Sequence, residues 1–405
     1  MIRATRARSA ATGTMSVAVD ATPLLGTRTG VGEFCLGLLG ALSRLDGLEV
    51  SAFAVSWRRR HEILPVLPNG VAGVQRAMPA RPLQWMWARA TMPPVEWWVG
   101  KVDVVHGTNY VVPPTRRAKR VVSVHDLSTV RYPELCARET LKFPALIRSA
   151  ISGGAWLAVP SAFVAAEVVD LLGAPQDRVM VVPYGIPARP SDDDRCQDGR
   201  DEHEAAPAAG ALGGLLAHLL PSWVGSYVLA LGTLEPRKDL PTLVRAFDAI
   251  AARFPGLALV VAGPDGWGSD AFEEALAGAR LGGRVVRLGY VSAADRARLL
   301  ARAAVFAYPS IYEGFGFPPL EAMLARVPVV TTIAGSLPEV MGDAALMVHP
   351  RDPDGLAEAL VAVLGSSEVR SKLVHAGIER ARGFTWERCA RGFVDLYQAA
   401  LACSG

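Results

Sequence analysis

Along this chain, short unbroken apolar runs alternate with longer stretches whose apolar positions recur every three to four residues. Runs of the first kind predict strands buried on both faces, and those of the second predict amphipathic helices. Their alternation predicts parallel sheets wound with helices, an α/β fold. In the first half, strands are expected at 16–19, 50–55, 102–106, 120–124, 155–160 and 179–182. Helices are expected at 32–45 and 161–172, the second opened by Ser161 as an N-cap and ended near Gly173. A second series follows, with strands at 227–231, 257–262, 285–288, 305–308 and 329–332. Its helices are expected at 240–253, 270–279, 293–302 and 316–325, with further helical stretches after Gly355.

Between the two series the composition changes. From residue 188 to 221 the chain is first acidic, then rich in Ala and Gly, which predicts a linker with a short helix at 211–220. At 405 residues the chain suits two α/β domains of ~150–200 residues each. The expected division is a disordered leader at 1–14, an N-terminal domain at 15–187 and a linker or insertion at 188–225. A C-terminal domain then covers 226–385, and a last helix at 386–405 is a candidate to pack back on the N-terminal domain.

Charge and cysteine content narrow the function classes. The formal net charge is only +3 and the basic residues are scattered, which argues against a nucleic-acid partner. Five well-separated cysteines with no CxxC pair argue against a disulfide framework or a zinc site and fit a reducing compartment, so a cytoplasmic location is expected. No stretch of about 18 uncharged apolar residues predicts a membrane span. The first 14 residues carry three arginines but no apolar block, unlike a secretory signal.

The segment from Tyr308 to Met323 carries the most chemistry. It leaves a strand, passes Glu313, Gly314, Phe315, Gly316, Phe317, Pro318 and Pro319, and enters a helix that contains Leu320 and Glu321. Gly316 and Gly314 allow close backbone approach, and the two prolines suit a helix start. Exposed amides and the helix dipole there form an anion site suited to a diphosphate. Glu313 and Glu321, eight residues apart, could accept hydroxyl hydrogen bonds on either side of it.

This stretch resembles the E-x7-E signature of retaining glycosyltransferases of family 4, which have the GT-B fold: two doubly wound Rossmann-like domains facing each other across a cleft. Other pieces fall in the family's order. Gly232-Thr-Leu-Glu-Pro-Arg237-Lys238 resembles its strand-loop element, whose Arg and Lys bind the donor diphosphate; two adjacent cations offset phosphate charge and stabilise the leaving group. The turns at Gly263 and at Tyr290-Val291 resemble those that line the nucleotide pocket, and the segment around Glu339 resembles a further part of that domain in which Glu339 is expected to be structural. In the first half, Gly30-Val-Gly32 resembles the family's glycine loop, and His125 its histidine near the donor sugar, placed across the cleft from Glu313 to contact sugar hydroxyls or the transition state. Asn109 and Asp126 are candidates for the acceptor side.

The resemblance implies a hexosyltransferase of polysaccharide biosynthesis that retains anomeric configuration, with His125, Glu313, Arg237 and Lys238 as its catalytic set. The donor side would comprise Gly30, Gly32, Gly263, Tyr290, Val291, Phe315, Gly316, Phe317, Leu320 and Glu321. No metal site and no cofactor are expected, since Asp192-Asp-Asp194 falls in the linker. The motif combination most resembles the mannosyltransferase branch, so GDP-mannose is the favoured donor, ahead of UDP- and dTDP-sugars, and a glycan or lipid-linked molecule is the acceptor. Two alternatives stay open: another nucleotide-sugar enzyme on the same fold, and an inactive transferase-like scaffold of a glycan-assembly complex. Trp85, Trp87, Trp97 and Trp98 are read as core packing, with peripheral contact at the inner face of a membrane as the alternative.

Overall fold

The structure is a computed structural model and describes residues 14–26, 30–87, 92–187, 216 and 218–403, with the side chains of Arg81, Gln84 and Trp85 also left out. The leader and the helix expected at 211–220 therefore lie largely outside the described residues, as does most of the linker.

The N-terminal domain holds β1 (Met15–Asp20), α1 (Gly30–Leu42), β2 (Leu48–Phe53), β3 (Ala72–Gly73), α2 (Ala80–Trp87), α3 (Glu96–Val99) and β4 (Val104–Gly107). It continues through β5 (Lys119–Ser123), α4 (Ser128–Arg131), α5 (Phe143–Ser152), β6 (Trp156–Val159), α6 (Ala162–Leu172) and β7 (Val179–Val181). The C-terminal domain holds β8 (Ser226–Leu231), α7 (Leu240–Ala251), β9 (Leu257–Ala262), α8 (Ser269–Gly278), β10 (Val285–Gly289), α9 (Ala293–Arg302) and β11 (Val305–Tyr308). Then come α10 (Phe317–Leu324), β12 (Val329–Thr332), α11 (Leu337–Met341), β13 (Ala345–Val348), α12 (Pro353–Gly365), α13 (Ser367–Arg382) and α14 (Trp386–Ala402).

Each domain is built on one parallel sheet, ordered β3-β2-β1-β4-β5-β6-β7 and β10-β9-β8-β11-β12-β13. Successive residues of a strand serve opposite layers: Val17, Val19, Val104 and Val121 face one core, Ala18, Val105 and Val122 another. Both faces of each sheet are thus covered, as the unbroken apolar runs require. The sequence pattern misses β3 and β13, which are short edge strands without a buried run.

The direction in which successive strands are added across the sheet reverses between β1 and β4 and again between β8 and β11. In doubly wound sheets the loops at such a switch point diverge and leave a crevice at the strand carboxyl ends. The loop after β8 carries Arg237 and Lys238, and the loop after β11 carries Glu313, so topology alone brings the two motifs together.

The last helix crosses back. α14 lies on α1, and its Phe393 and Tyr397 reach the N-terminal domain: Phe393 is 5.9 Å from Phe34, and the Tyr397 hydroxyl is 2.8 Å from His106 Nδ1. Among the described residues no helix is long and apolar enough to cross a membrane.

Candidate active site

The turn after β8 is held in place before any ligand is considered. Gly263 ends β9 so close to it that a Cβ there would lie 1.9 Å from the Gly232 carbonyl oxygen, so only glycine fits. The Ile311 N–H donates to the Arg237 carbonyl at 2.8 Å, joining this turn to the β11 loop.

Four charges meet where the loops join. Glu313 Oε2 lies 2.9 Å from Arg237 Nη1, and Glu313 Oε1 lies 2.7 Å from Lys238 Nζ. Arg237 Nη2 also reaches Glu235 at 3.3 Å, and Lys238 donates to the Tyr308 hydroxyl. Burial works against the charge on Glu313, but Arg237 and then Lys238 outweigh it and hold its carboxyl down at about 2. Burial likewise opposes the charges on Arg237 and Lys238, and Glu313 more than compensates, so both stay protonated. The sequence reading treats the two cations as a positive niche. In the structure two carboxylates, Glu235 and Glu313, balance them.

The Glu313 main chain is clamped as well. Its carbonyl accepts from Ser336 N–H at 2.9 Å and Ser336 Oγ at 3.1 Å. Gly314 sits against the opposite domain: a Cβ on it would come within 1.9 Å of the His125 carbonyl oxygen. The two domains therefore touch at the loop after β11.

His125 is held by partners from its own domain. Its Nδ1 accepts from the Tyr184 hydroxyl at 2.7 Å and its Nε2–H donates to the Thr108 carbonyl at 2.8 Å. Phe34 and Tyr110 pack edge-on to the ring, each at 5.2 Å. Burial pushes its pKa down to about 4, with the Thr108 carbonyl and Asp126 opposing that shift. Both nitrogens are thus engaged inside its own domain, and the residue braces the loop that meets Gly314.

The remaining donor-side candidates divide by what their side chains touch. Phe315 and Phe317 pack on Tyr184 at 5.1 and 5.5 Å, and Leu320 is fully buried, so these side chains build the interdomain core and leave only main chain for a ligand. Gly316 caps α10 with φ of 110°, followed by Pro318 and Pro319 in the first turn. Glu321 pairs with Arg296 on α9; burial raises its pKa despite that partner, and Glu33 of α1 adds to the rise from across the cleft. Tyr290 is 67% exposed and Val291 half-buried beyond β10, open to a ligand. Gly30 begins α1 on the surface and Gly32 is buried one turn position later, while 27–29 lie outside the described residues. Asn109 is half-buried beside Tyr110, and Asp126 caps the turn into α4 by accepting from Ser128 N–H at 2.9 Å.

Several residues at this site were not singled out by sequence reasoning: Tyr308, Ser336, Tyr312 and Arg296. The first three lie inside quoted motifs, but their partners are fixed only by tertiary contact; Arg296 lies on an unremarkable helix. Glu339, expected to be structural, accepts from Ala162 N–H at 2.8 Å and Phe163 N–H at 3.0 Å, capping α6 from the other domain.

Comparison with known proteins bears on the family and the fold. A family model described as "Glycosyltransferase Family 4" matches residues 28–189, and one described as "Glycosyl transferases group 1" matches residues 225–366. The chain is 30% identical over 305 residues to an O-antigen chain mannosyltransferase B of Escherichia coli, covering 73% of this chain and 74% of that protein. It is 30% identical over 333 residues to a D-inositol 3-phosphate glycosyltransferase of a Nocardioides species, covering 75% and 69%. A sucrose-phosphate synthase structure from Thermosynechococcus elongatus superposes with a TM-score of 0.71 at 20% identity, over 96% of this chain and all of that one, a likeness of fold. The chain thus belongs to the group 1 glycosyl transferases, a glycosyltransferase with two Rossmann-like domains in the GT-B arrangement.

Proposed function

We propose that this glycosyltransferase moves a hexose, mannose from GDP-mannose in the first instance, from a nucleotide-diphosphate donor to a glycan or lipid-linked acceptor with retention of configuration. The observation that carries the reading is the convergence of Arg237, Lys238 and Glu313 at the sheet switch point, beside the N-terminus of α10. The mannosyl part rests on the named relative from Escherichia coli and on the motif combination.

In this reading the donor diphosphate takes over Arg237 and Lys238 at the positive end of the α10 dipole, whose first turn, with Pro318 and Pro319, offers few N–H groups of its own. Glu313, displaced from the cations, turns to accept hydrogen bonds from the donor sugar. Tyr290 and Val291 line the base. The bond from the anomeric carbon to the phosphate oxygen breaks, its electron pair passing to the diphosphate, while the acceptor oxygen bonds to the same face of that carbon. The acceptor proton goes to the departing phosphate oxygen. Arg237 and Lys238 stabilise the charge that develops there, which is the part of the reaction where preorganised cations lower the barrier most.

The acceptor side belongs to the N-terminal domain. Trp87 and Trp98 are half-buried, each with its indole N–H on a main-chain carbonyl at 2.9 Å, which is the core-packing role. Trp97 is 58% and Trp57 60% exposed, and the Arg76–Trp97 and Arg60–Gln75 hydrogen bonds link their segments. This basic, aromatic face is the one that would rest on a cytoplasmic membrane leaflet holding a lipid-linked acceptor.

The test is a thermal-shift screen of the full chain against GDP, UDP, dTDP and ADP. GDP at about a hundredfold excess over its Kd is expected to raise Tm by roughly 5 °C, because a ligand bound only to the folded state stabilises it by mass action. A larger rise with another base would reassign the nucleotide, and no rise with any of the four would overturn the donor reading.

A further inference from the structure

Tyr312 stands one residue before Glu313, yet its side chain leaves the C-terminal domain. Its carbonyl stays at the charge cluster and accepts from Arg237 Nη1 at 2.9 Å. Its ring enters the N-terminal domain between Tyr132 and Phe163, which meet it edge-on at 5.7 and 5.8 Å. There the hydroxyl accepts from the Leu127 N–H at 3.0 Å and donates to the Glu167 carboxylate. The second oxygen of Glu167 takes Arg131 Nε at 2.7 Å. Tyr312 is 3% and Glu167 4% exposed.

A carboxylate buried in α6 needs donors on both oxygens. Arg131 supplies one from the same domain; the other comes from the opposite domain, through a neutral phenol. Burial first, then Asp126 and Glu167, hold the Tyr312 hydroxyl protonated, so it remains a donor. Separating the domains would strip Glu167 and the Leu127 amide of this partner at once. The same residue, through its main chain, fixes Arg237 and leads directly into Glu313.

We infer that Tyr312 is a positioning residue that latches the cleft: its hydroxyl binds Glu167 only when the domains are closed, and the latch sets Arg237 and Glu313 in register. The consequence for catalysis rests on the donor reading above; the latch itself does not.

Hydrogen–deuterium exchange of the full chain without ligand tests the latch, with Tyr312→Phe retaining the ring and Glu167→Gln as a second variant. Both should exchange about tenfold faster at Leu127 and at the Ala162 and Phe163 amides, which are protected only across the closed interface. Under donor turnover, kcat in each variant should fall about tenfold while nucleoside diphosphate affinity holds within about twofold, and the double variant should lose no more than either single one. Unchanged exchange in Tyr312→Phe, or losses that add in full, would overturn the latch. Faster exchange in the variants, in a chain whose wild type turns over no nucleotide sugar, would uphold the latch and reject the donor reading.

Discussion

Glu313 has two sets of partners to serve, and its titration records the first. Its carboxyl is held at about 2 against an ordinary 4.5, so its ion pairs add stability that is complete above about pH 4.5 and lost as pH falls toward 2. His125 acts in a higher window. Its folded pKa of about 4 lies below the ordinary 6.5, so the unfolded chain takes up the proton first and stability falls as pH drops from 6.5 to 4. His106, pushed by burial to about 3, works in the same direction. The His125 part amounts to about 3 kcal/mol at 1.36 kcal/mol per unit. Urea unfolding of His125→Gln at several pH values should therefore show a shallower loss of stability between pH 6.5 and 4 than the wild type, and an unchanged slope would mean that the ring is not buried neutral. The sequence made His125 legible as a special residue, since a histidine at a strand end in that motif is conspicuous. It could not show that Tyr184 and Thr108 claim both nitrogens, because those contacts depend on how separate loops fold over the strand.

Helix α6 shows which part of an element is local and which is not. Ser161 accepts from Val164 N–H at 3.2 Å and Gly173 closes the helix in the left-handed region, both as the sequence implies, because caps act within one turn. The second cap, Glu339, lies far along the chain on α11 and becomes visible only when the domains meet. Losing a carboxylate cap of this kind costs about 1–2 kcal/mol. Glu339→Ala should accordingly lower kcat several-fold through a less populated closed state, with nucleoside diphosphate affinity little altered; a kcat equal to that of the wild type would show that the contact does not help closure. Strand positions in the second domain were legible to within about two residues because their runs are fully buried. The edge strand β13 was not, since its half-buried residues carry neither a run nor an alternation.

At the scale of the molecule, the two sheets, the returning α14 and the aromatic cluster of Phe34, Tyr184, Phe315 and Phe317 make one continuous apolar interior across the cleft. Two α/β units were legible from alternation and length, and the pairing of the Arg237-Lys238 turn with the Glu313 loop follows from strand order. The balance of charge at that junction was not, because it depends on Glu313 folding back on the cations rather than into an empty cleft. The central claim is that these two cations receive the donor diphosphate and that Glu313 occupies them until it arrives. Calorimetric titration of GDP, or of whichever diphosphate the thermal screen selects, into wild type, Lys238→Ala and Glu313→Gln measures this directly. Lys238→Ala should bind about 30- to 100-fold more weakly, whereas Glu313→Gln, relieved of the competing carboxylate, should bind at least as tightly as the wild type while losing sugar transfer. Equal affinity in Lys238→Ala, or a collapse of affinity in Glu313→Gln with its fold intact, would contradict the account.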